Sequence, residues 1–367
     1  MTASDTAVRD VRTRAFTVST DGPEADGTLA WDHTTLVLVE VRCGDVHGTG
    51  WTYGAPATVA VVRDELAPIV RGRDALDTAG AHEALRRALR NAGRPGLAAG
   101  AVSAVDLALW DAKARLLGVS LVALLGGAPR DVPVYGSGGF TTYDDARTEK
   151  QARSWLDAGH TRVKIKIGEA WGRAEQRDLD RVHLVRNTVG EHTELYVDAN
   201  GGYGRKQAVR VADAMADDDV VWFEEPVSSD DLAGLREVRD RVRPDVTAGE
   251  YAYDPYQFAA LADVVDCLQA DATRCGGYTG WLRAAAVAGA AGLEVSAHCA
   301  PNVHAHIGPA VPNLRHLEWF HDHLRVEERL FSGALQTVGG AVVPGASGAP
   351  GHGLTLKEGD AEPYRVA

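Results

Sequence analysis

Three patterns of apolar and polar residues succeed one another along the chain. Residues from about 8 to 55 read as strands. Thr35-Leu-Val-Leu-Val-Glu-Val41 is β-branched and apolar, and Gly44, Gly48 and Gly50 offer turns. Before that run, Ser19 to Thr34 is rich in Asp, Thr and Gly and is expected to form a mobile loop. Residues 55–128 switch to a helical period. Val102, Val105, Leu107, Leu109, Trp110 and Leu116 build an apolar helix, and Gly126-Gly127 with Pro129 end the segment. Residues 1–130 therefore predict an α+β domain.

From residue 131 short apolar strands alternate with amphipathic helices. The strand candidates are 132–137, 162–167, 194–198, 220–224, 245–250, 265–271, 292–298 and 314–319. Helix-length stretches such as Asp178 to Val189 and Ser229 to Val242 lie between them. Parallel neighbours need crossovers, so the alternation implies a parallel sheet. Eight units over residues 131–332 predict an α/β fold, a modified (β/α)8 TIM-type barrel with one helix short or missing. The α+β domain would cap it. Residues 333–367 are Gly/Pro-rich and extended, and are expected to return to the cap.

Composition narrows the class. The 367 residues are 45% hydrophobic and 24% charged, enough to bury a large core. Lys and Arg number 38 against 51 Asp and Glu, and the net charge of −13 argues against a generic nucleic-acid binder. Cys43, Cys267, Cys275 and Cys299 form no C-x-x-C pair, which suits a reducing compartment. Met1 to Arg12 carries charges where a signal peptide needs an apolar core. The uncharged stretch Leu330 to Leu356 is broken by glycines, Pro344 and Pro350, so no membrane span is expected. The reading is a soluble, cytoplasmic protein.

The polar residues fall at the strand ends. Strand two ends in Val163-Lys-Ile-Lys-Ile167, strand three in Asp198-Ala-Asn200, and strand four in Glu224-Glu-Pro226. Strand five ends at Gly249-Glu250, strand six at Asp271 and strand seven at His298, and strand eight carries Glu318. A barrel brings these C-terminal ends into one ring. Asp198, Glu224 and Glu250 would then converge. Three carboxylates without a helping His or Cys suit a hard cation, and Mg²⁺ keeps positions open for substrate and water. Taken singly, each acid could equally be a helix N-cap or a surface charge. Lys164 and Lys166 share one strand face because side chains alternate. A second lysine and a metal ion nearby are expected to depress a lysine pKa. Asp271, on the strand beside His298, can orient its imidazole. His304, His306, His321 and His323 read as structural.

This set of residues resembles the enolase superfamily, specifically its mandelate racemase-like subgroup. The matching motifs are Lys164-x-Lys166, Asp198-Ala-Asn200, Glu224-Glu-Pro226, Gly249-Glu250, Asp271-Ala-Thr-Arg-Cys-Gly-Gly277 and His298. The helix Ala104-Val-Asp-Leu-Ala-Leu-Trp-Asp111 and the stop Leu124-Leu-Gly-Gly127 look like that family too. The resemblance implies Mg²⁺ on Asp198, Glu224 and Glu250. It implies Lys166 as base on one substrate face and His298, paired with Asp271, on the other. It further implies Lys164 against the substrate carboxylate, Glu318 hydrogen-bonding that carboxylate, and Asn200 at a substrate hydroxyl or the metal shell. The shared step is removal of a proton α to a carboxylate through an enediolate, a pattern known for Lys or His bases with Mg²⁺.

The cap is expected to select the substrate. Ser19 to His33 and Gly48 to Gly54 hold Asp21, Glu24, Asp26, Thr28, Asp32, His33, Trp51, Thr52 and Tyr53. Such hydrogen-bonding side chains suit a polyol, so dehydration of a sugar acid to a 2-keto-3-deoxy acid is favoured. Trp31, Tyr53, Asn200 and Ser137 are the candidate substrate contacts, with Trp31 and Trp51 able to stack on a sugar or simply to pack. No arginine cluster sits in the two cap loops, which leans toward a mono-acid, although Arg274 or a lysine elsewhere could hold a second carboxylate. A racemase, epimerase or cycloisomerase on the same site is the closest rival. A hydrolase barrel lacks support, because strand one, Val134-Tyr-Gly-Ser-Gly-Gly139, has no paired histidines. A non-catalytic relative would lack ligands or bases, and none is missing. A homo-oligomer is expected from the family resemblance.

Overall fold

The computed structural model describes residues 3–367, so Met1 and Thr2 of the Met1–Arg12 segment lie outside it. Three antiparallel strands come first: β1 (Val8–Ala25), β2 (Ala30–Cys43) and β3 (Val46–Tyr53). The stretch from Ser19 to Thr34 is thus a long hairpin and not a loop. Its pairing runs from Ser19 opposite His33, across a bulge, to Glu24 opposite Trp31 and Ala25 opposite Ala30. The four residues 26–29 make the turn, where Asp26 Oδ1 accepts from the backbone N–H of Thr28 and Leu29. The polar composition that suggested mobility belongs to a strand pair with a solvated face.

Gly44 does occupy a turn, with φ of +58°. Gly48 and Gly50 instead lie within β3, where the helix Leu97–Leu117 presses on the sheet. A Cβ on Gly48 would stand 2.3 Å from the Ala108 carbonyl oxygen, and one on Gly50 2.5 Å from that of Ala104. Only glycine allows this backbone-to-backbone approach. The helix is buried along most of its length, as its apolar run requires, and Gly118 closes it in a left-handed conformation.

Eight parallel strands then close into a barrel. They are β4 (Val132–Gly138), β5 (Arg162–Lys166), β6 (Glu194–Asp198), β7 (Val220–Glu224), β8 (Asp245–Ala248), β9 (Cys267–Ala270), β10 (Glu294–Ala297) and β11 (Leu314–Phe320). β11 pairs with β4, Glu318 opposite Tyr135, and completes the ring. Each strand is followed by a helix. Setting aside the four-residue Glu169–Gly172, which leads into the longer helix Glu175–Val189 after β5, the shortest is Pro301–Ile307 after β10, with seven residues. The register sets Lys166 beside Asp198 and Asp198 beside Glu224, aligning three site residues across adjacent strands.

The two parts share one hydrophobic core. Phe16, Leu36, Leu38 and Trp51 of the cap sheet join the barrel side chains, while Val39, Val41 and the inner faces of the cap helices form a second cluster. The hairpin tip is tied to the barrel rim by backbone bonds: Thr141 N–H to Ala25 O (2.8 Å) and Trp171 N–H to Gly27 O (2.8 Å). The C-terminal stretch runs back along the cap. Arg14 meets Glu358 at 2.6 Å, and the backbone of Val366 donates to Ala15 O at 2.9 Å. Among the described residues, no helix is long and apolar enough to cross a membrane. Cys43, Cys267, Cys275 and Cys299 are all free and buried.

Candidate active site

The barrel strands end in one ring of charge. Carboxylate oxygens of Asp198, Glu224 and Glu250, on three neighbouring strands, lie within 4.8 Å of one another, and all three residues are buried. Two lysines stand against them. Lys164 Nζ contacts Glu224 Oε1 at 2.7 Å and Glu318 Oε1 at 2.8 Å. Lys166 Nζ contacts Asp198 Oδ2 at 2.5 Å. On the other side His298 Nδ1 meets Asp271 Oδ2 at 2.9 Å, and its Nε2 is 3.2 Å from both Glu250 Oε2 and Cys299 Sγ.

The electrostatics follow from burial set against these neighbours. Burial pushes the Glu224 carboxyl up, Asp198 and Glu318 add to this against Lys164, and it reaches about 8. Burial also acts on Asp198, but Lys166, Lys164 and the Asn200 N–H outweigh it and hold the group below the usual range. For Lys166 burial favours the neutral amine, yet the Asp198 carboxylate more than offsets it and the pKa sits above the ordinary lysine value. The expected depression by Lys164 is therefore overridden by a carboxylate at contact distance. His298 is raised in the same way, burial being outweighed by Glu250 and Asp271.

The three carboxylates fit a divalent cation. Glu250 Oε2 is buried with only the His298 Nε2 contact at 3.2 Å and no well-aligned hydrogen bond, and the acids outnumber what the two lysines can neutralise at contact. An all-oxygen donor set matches the preference of Mg²⁺.

Above the ring lies a cavity of about 500 Å³. Lys166, Asn200, Glu250 and His298 line it, with Asp26, Trp31, His33 and Tyr53 from the cap. Lys164 is fully buried beneath this layer, so it faces the site only through its ion pairs. Ser137 is also buried and donates to Glu318 Oε1 at 2.5 Å, so it positions that acid and does not line the cavity. Glu318 additionally accepts from the Cys299 N–H at 2.8 Å. Burial raises its pKa, but Lys164, His298 and Lys166 pull it well below the usual carboxyl range, so it is an acceptor here and has no proton to donate.

The cap contributes differently from expectation. Tyr53 turns its hydroxyl to Glu327 Oε1 (3.0 Å) and stacks its ring on His323, with centroids 3.4 Å apart. Trp31 donates to Glu24 Oε2 at 3.0 Å and packs edge-on against Phe140. Trp51 and Thr52 are internal: Trp51 stacks on Phe331, and Thr52 donates to the Thr273 carbonyl. They are core residues of β3 and do not belong to a binding loop.

Arg274, named above only as a possible holder of a second carboxylate, and His323, read above as structural, both line the cavity. Arg274 sits inside the Asp271–Gly277 motif and donates to Glu250 Oε1 at 3.0 Å, its guanidinium over the Tyr251 ring. His323 reaches the cavity because β11 continues to Phe320, which brings the first turn of the next helix over the mouth. Its Nδ1 accepts from the Ala300 N–H (3.2 Å), which leaves Nε2 as the protonated nitrogen. Burial, with the His298 and Arg274 charges, keeps the ring neutral. His304 is structural, accepting from the Ala272 N–H at 2.8 Å, and His306 is buried without a partner.

This geometry has relatives. Residues 147–360 match the enolase C-terminal domain-like family, and residues 5–126 match the mandelate racemase / muconate lactonizing enzyme N-terminal domain. The chain is 32% identical to the 3,6-anhydro-alpha-L-galactonate cycloisomerase of Streptomyces coelicolor, over 88% of this chain and 89% of that one. The crystal structure of a mandelate racemase/muconate lactonizing enzyme-like protein from Rubrobacter xylanophilus superposes with a TM-score of 0.95 at 48% identity, covering 98% of this chain and all of that one. L-talarate/galactarate dehydratase from Salmonella typhimurium LT2, liganded with Mg and L-lyxarohydroxamate, gives a TM-score of 0.90 at 26% identity, covering 100% of this chain and 95% of that one. Solved relatives thus carry bound magnesium. With both domain models matched and the ring of acids and bases in place, the chain belongs to the enolase superfamily, in its mandelate racemase-like subgroup.

Proposed function

We propose that this enzyme dehydrates a sugar acid to a 2-keto-3-deoxy acid by removing the proton α to its carboxylate. The observation that carries the reading is the pair of bases. Lys166, against Asp198, and His298, against Glu250 and held from behind by Asp271, line one cavity from separate strands. Asp198, Glu224 and Glu250 would hold Mg²⁺, which would supply a Lewis acid for the substrate carboxylate, and with Asp198 engaged as a ligand Lys166 would lose the carboxylate contact that keeps it protonated.

The neutral Lys166 amine takes the proton from C2, and the electron pair moves into the carboxylate as an enediolate. Lys164, fixed by Glu224 and Glu318, places a positive charge beneath the growing negative charge. His298 carries its proton on Nε2 to the departing C3 hydroxyl, which leaves as water, while Asp271 holds the imidazole through Nδ1. The resulting enol tautomerises to the ketone. Asp26, His33, Thr34, Asp322 and His323 give the cavity a hydrogen-bonding lining suited to a polyol, and this favours a sugar acid over an aryl acid. The enzyme would act in the cytoplasm, as a homo-oligomer.

The test is incubation with Mg²⁺ and pooled aldonic and aldaric acids in D₂O, read by mass. Loss of water from one acid, abolished in Lys166→Ala and His298→Asn, is the expected outcome. Variants that dehydrate that acid as fast as the parent would overturn the assignment. A cycloisomerase is the second reading, favoured by the 32% identity to the Streptomyces coelicolor enzyme. It predicts a product that has lost no water and differs from its substrate in mass only by deuterium taken up from the solvent.

A further inference from the structure

A second cluster of ligand-type side chains lies at the seam between cap and barrel, apart from the catalytic ring. The bulge in the hairpin puts residues 20–23 of β1 against the single residue Asp32 of β2, between the pairs Ser19–His33 and Glu24–Trp31. This excess turns Asp21 out toward the barrel rim. There Asp21 Oδ2 meets His321 Nε2 at 3.1 Å, on the first residue of the helix after β11. Glu24 stands with them. One ligand atom each from Asp21, Glu24 and His321 lies within 4.8 Å of the others.

Glu24 makes this more than a group of surface acids. It is 0% exposed, and its Oε1 has no hydrogen-bond partner, while Oε2 takes only the Trp31 indole N–H. A buried carboxylate oxygen left without a donor is costly, so it implies a ligand or a proton. The surrounding charge also runs negative. Asp21, Glu24 and Asp322 face two guanidiniums, Arg147 on Asp21 and Arg325 on Asp322. Burial, then Asp322 and Asp21, push the Glu24 carboxyl up to about 8. A hollow of about 620 Å³ is bounded by Asp21 and His321 of the cluster, with Arg147 beside them.

We propose that Asp21, Glu24 and His321 form a second divalent-cation site that clamps the cap hairpin to the barrel rim. One imidazole nitrogen with two carboxylates favours a borderline ion such as Zn²⁺ over Mg²⁺, which prefers oxygen alone. Ligand atoms around a tetrahedral zinc lie about 3.3–3.6 Å apart, so the cluster must contract. The part-exposed Asp21 and His321 can move inward, whereas Glu24 is fixed between the strands and Trp31. Through Trp31, which lines the catalytic cavity, the ion would set the position of one cavity wall.

The test is calorimetric titration of Zn²⁺ into protein saturated with Mg²⁺, with thermal unfolding recorded alongside. The expected result is a Zn²⁺-binding event that weakens at least tenfold in His321→Asn and Glu24→Gln and persists in Cys299→Ser. The last variant controls for Zn²⁺ captured by His298 and Cys299. The Zn²⁺-dependent rise in Tm should vanish with the event. His321 is part-exposed, so His321→Asn keeps the test valid even if Glu24→Gln fails to fold. No Zn²⁺ event, an event lost only in Cys299→Ser, or equal binding in parent and His321→Asn would overturn the proposal and leave Glu24 neutralised by a proton. Each readout is independent of the substrate.

Discussion

The barrel interior has two layers built from the same strands, and they follow opposite rules. The upper layer holds Lys166, Asp198, Glu224, Asp271, His298 and Glu318. Two residues earlier on several of those strands, the lower layer holds Tyr196, Trp222, Gln269, Ser296 and His316, with Tyr135 two before Ser137. Its rings pack closely: Tyr196 stacks on Trp222 with centroids 5.4 Å apart, and His316 lies edge-on to Tyr135 at 4.7 Å. One layer is an aromatic plug and the other a set of mutually neutralising charges. The plug denies water access from below, so the charges above act in a low-dielectric setting where their pairing is strong. The layers touch at Trp222, whose indole donates to Glu224 Oε2 at 3.0 Å, and at Lys164, 5.4 Å from the Tyr135 ring centre.

The contrast is broken most severely in the upper layer. Lys166→Met is expected to lower turnover by about 10²–10⁴-fold, the range of a general base, with the fold retained. Steady-state rates beside circular dichroism check both parts. In the lower layer Trp222→Ala should instead cost roughly 3–5 kcal/mol of stability, as a large buried aromatic does when truncated. Urea unfolding measures that, and an unchanged midpoint would remove the plug from the account.

Mg²⁺ should stabilise the folded protein through the upper layer alone. At a hundredfold excess over Kd the gain is about 2.7 kcal/mol, and Glu250→Gln should sharply reduce it. Thermal unfolding with and without Mg²⁺ reads the difference. A pH-dependent effect concerns a carboxyl with neutral donors only. Glu327 is buried among Trp51, Tyr53 and Asn302, and burial, against those hydrogen bonds, pushes it to about 7 from an ordinary 4.5. Between those values the folded state holds a proton that the unfolded state has lost. Stability contributed by that proton is therefore complete below about 4.5 and declines as pH rises to about 7. The slope is at most roughly 1.4 kcal/mol per pH unit. Glu327→Gln should flatten it in urea unfolding across that window.

Legibility in the sequence tracks the same layering. The strand-end acids and bases were readable because a βα repeat puts one polar residue at the end of each apolar run, and a barrel gathers such ends. The long apolar helix was readable from its period. The cap hairpin was not, since a strand pair with one solvated face carries the Asp, Thr and Gly content of a loop. Gly48 and Gly50 misled for a related reason: glycine signals a turn or a close approach equally well, and only the helix above β3 decides. Ser137 and His323 exchanged roles because strand length determines which side chains face the cavity. β11 runs one residue past its expected end and carries His323 forward, while Ser137 sits low enough to meet Glu318 from behind.

The return of residues 365–367 to β1 has a consequence for synthesis. Ala15 both donates to the Ala367 carbonyl and accepts from the Val366 N–H. β1 therefore waits for an edge partner made about 350 residues later, a contact of very high sequence separation. Until then the outer edge of β1 is open to pairing with other chains, and the finished cap is sealed only when the barrel behind it has been made.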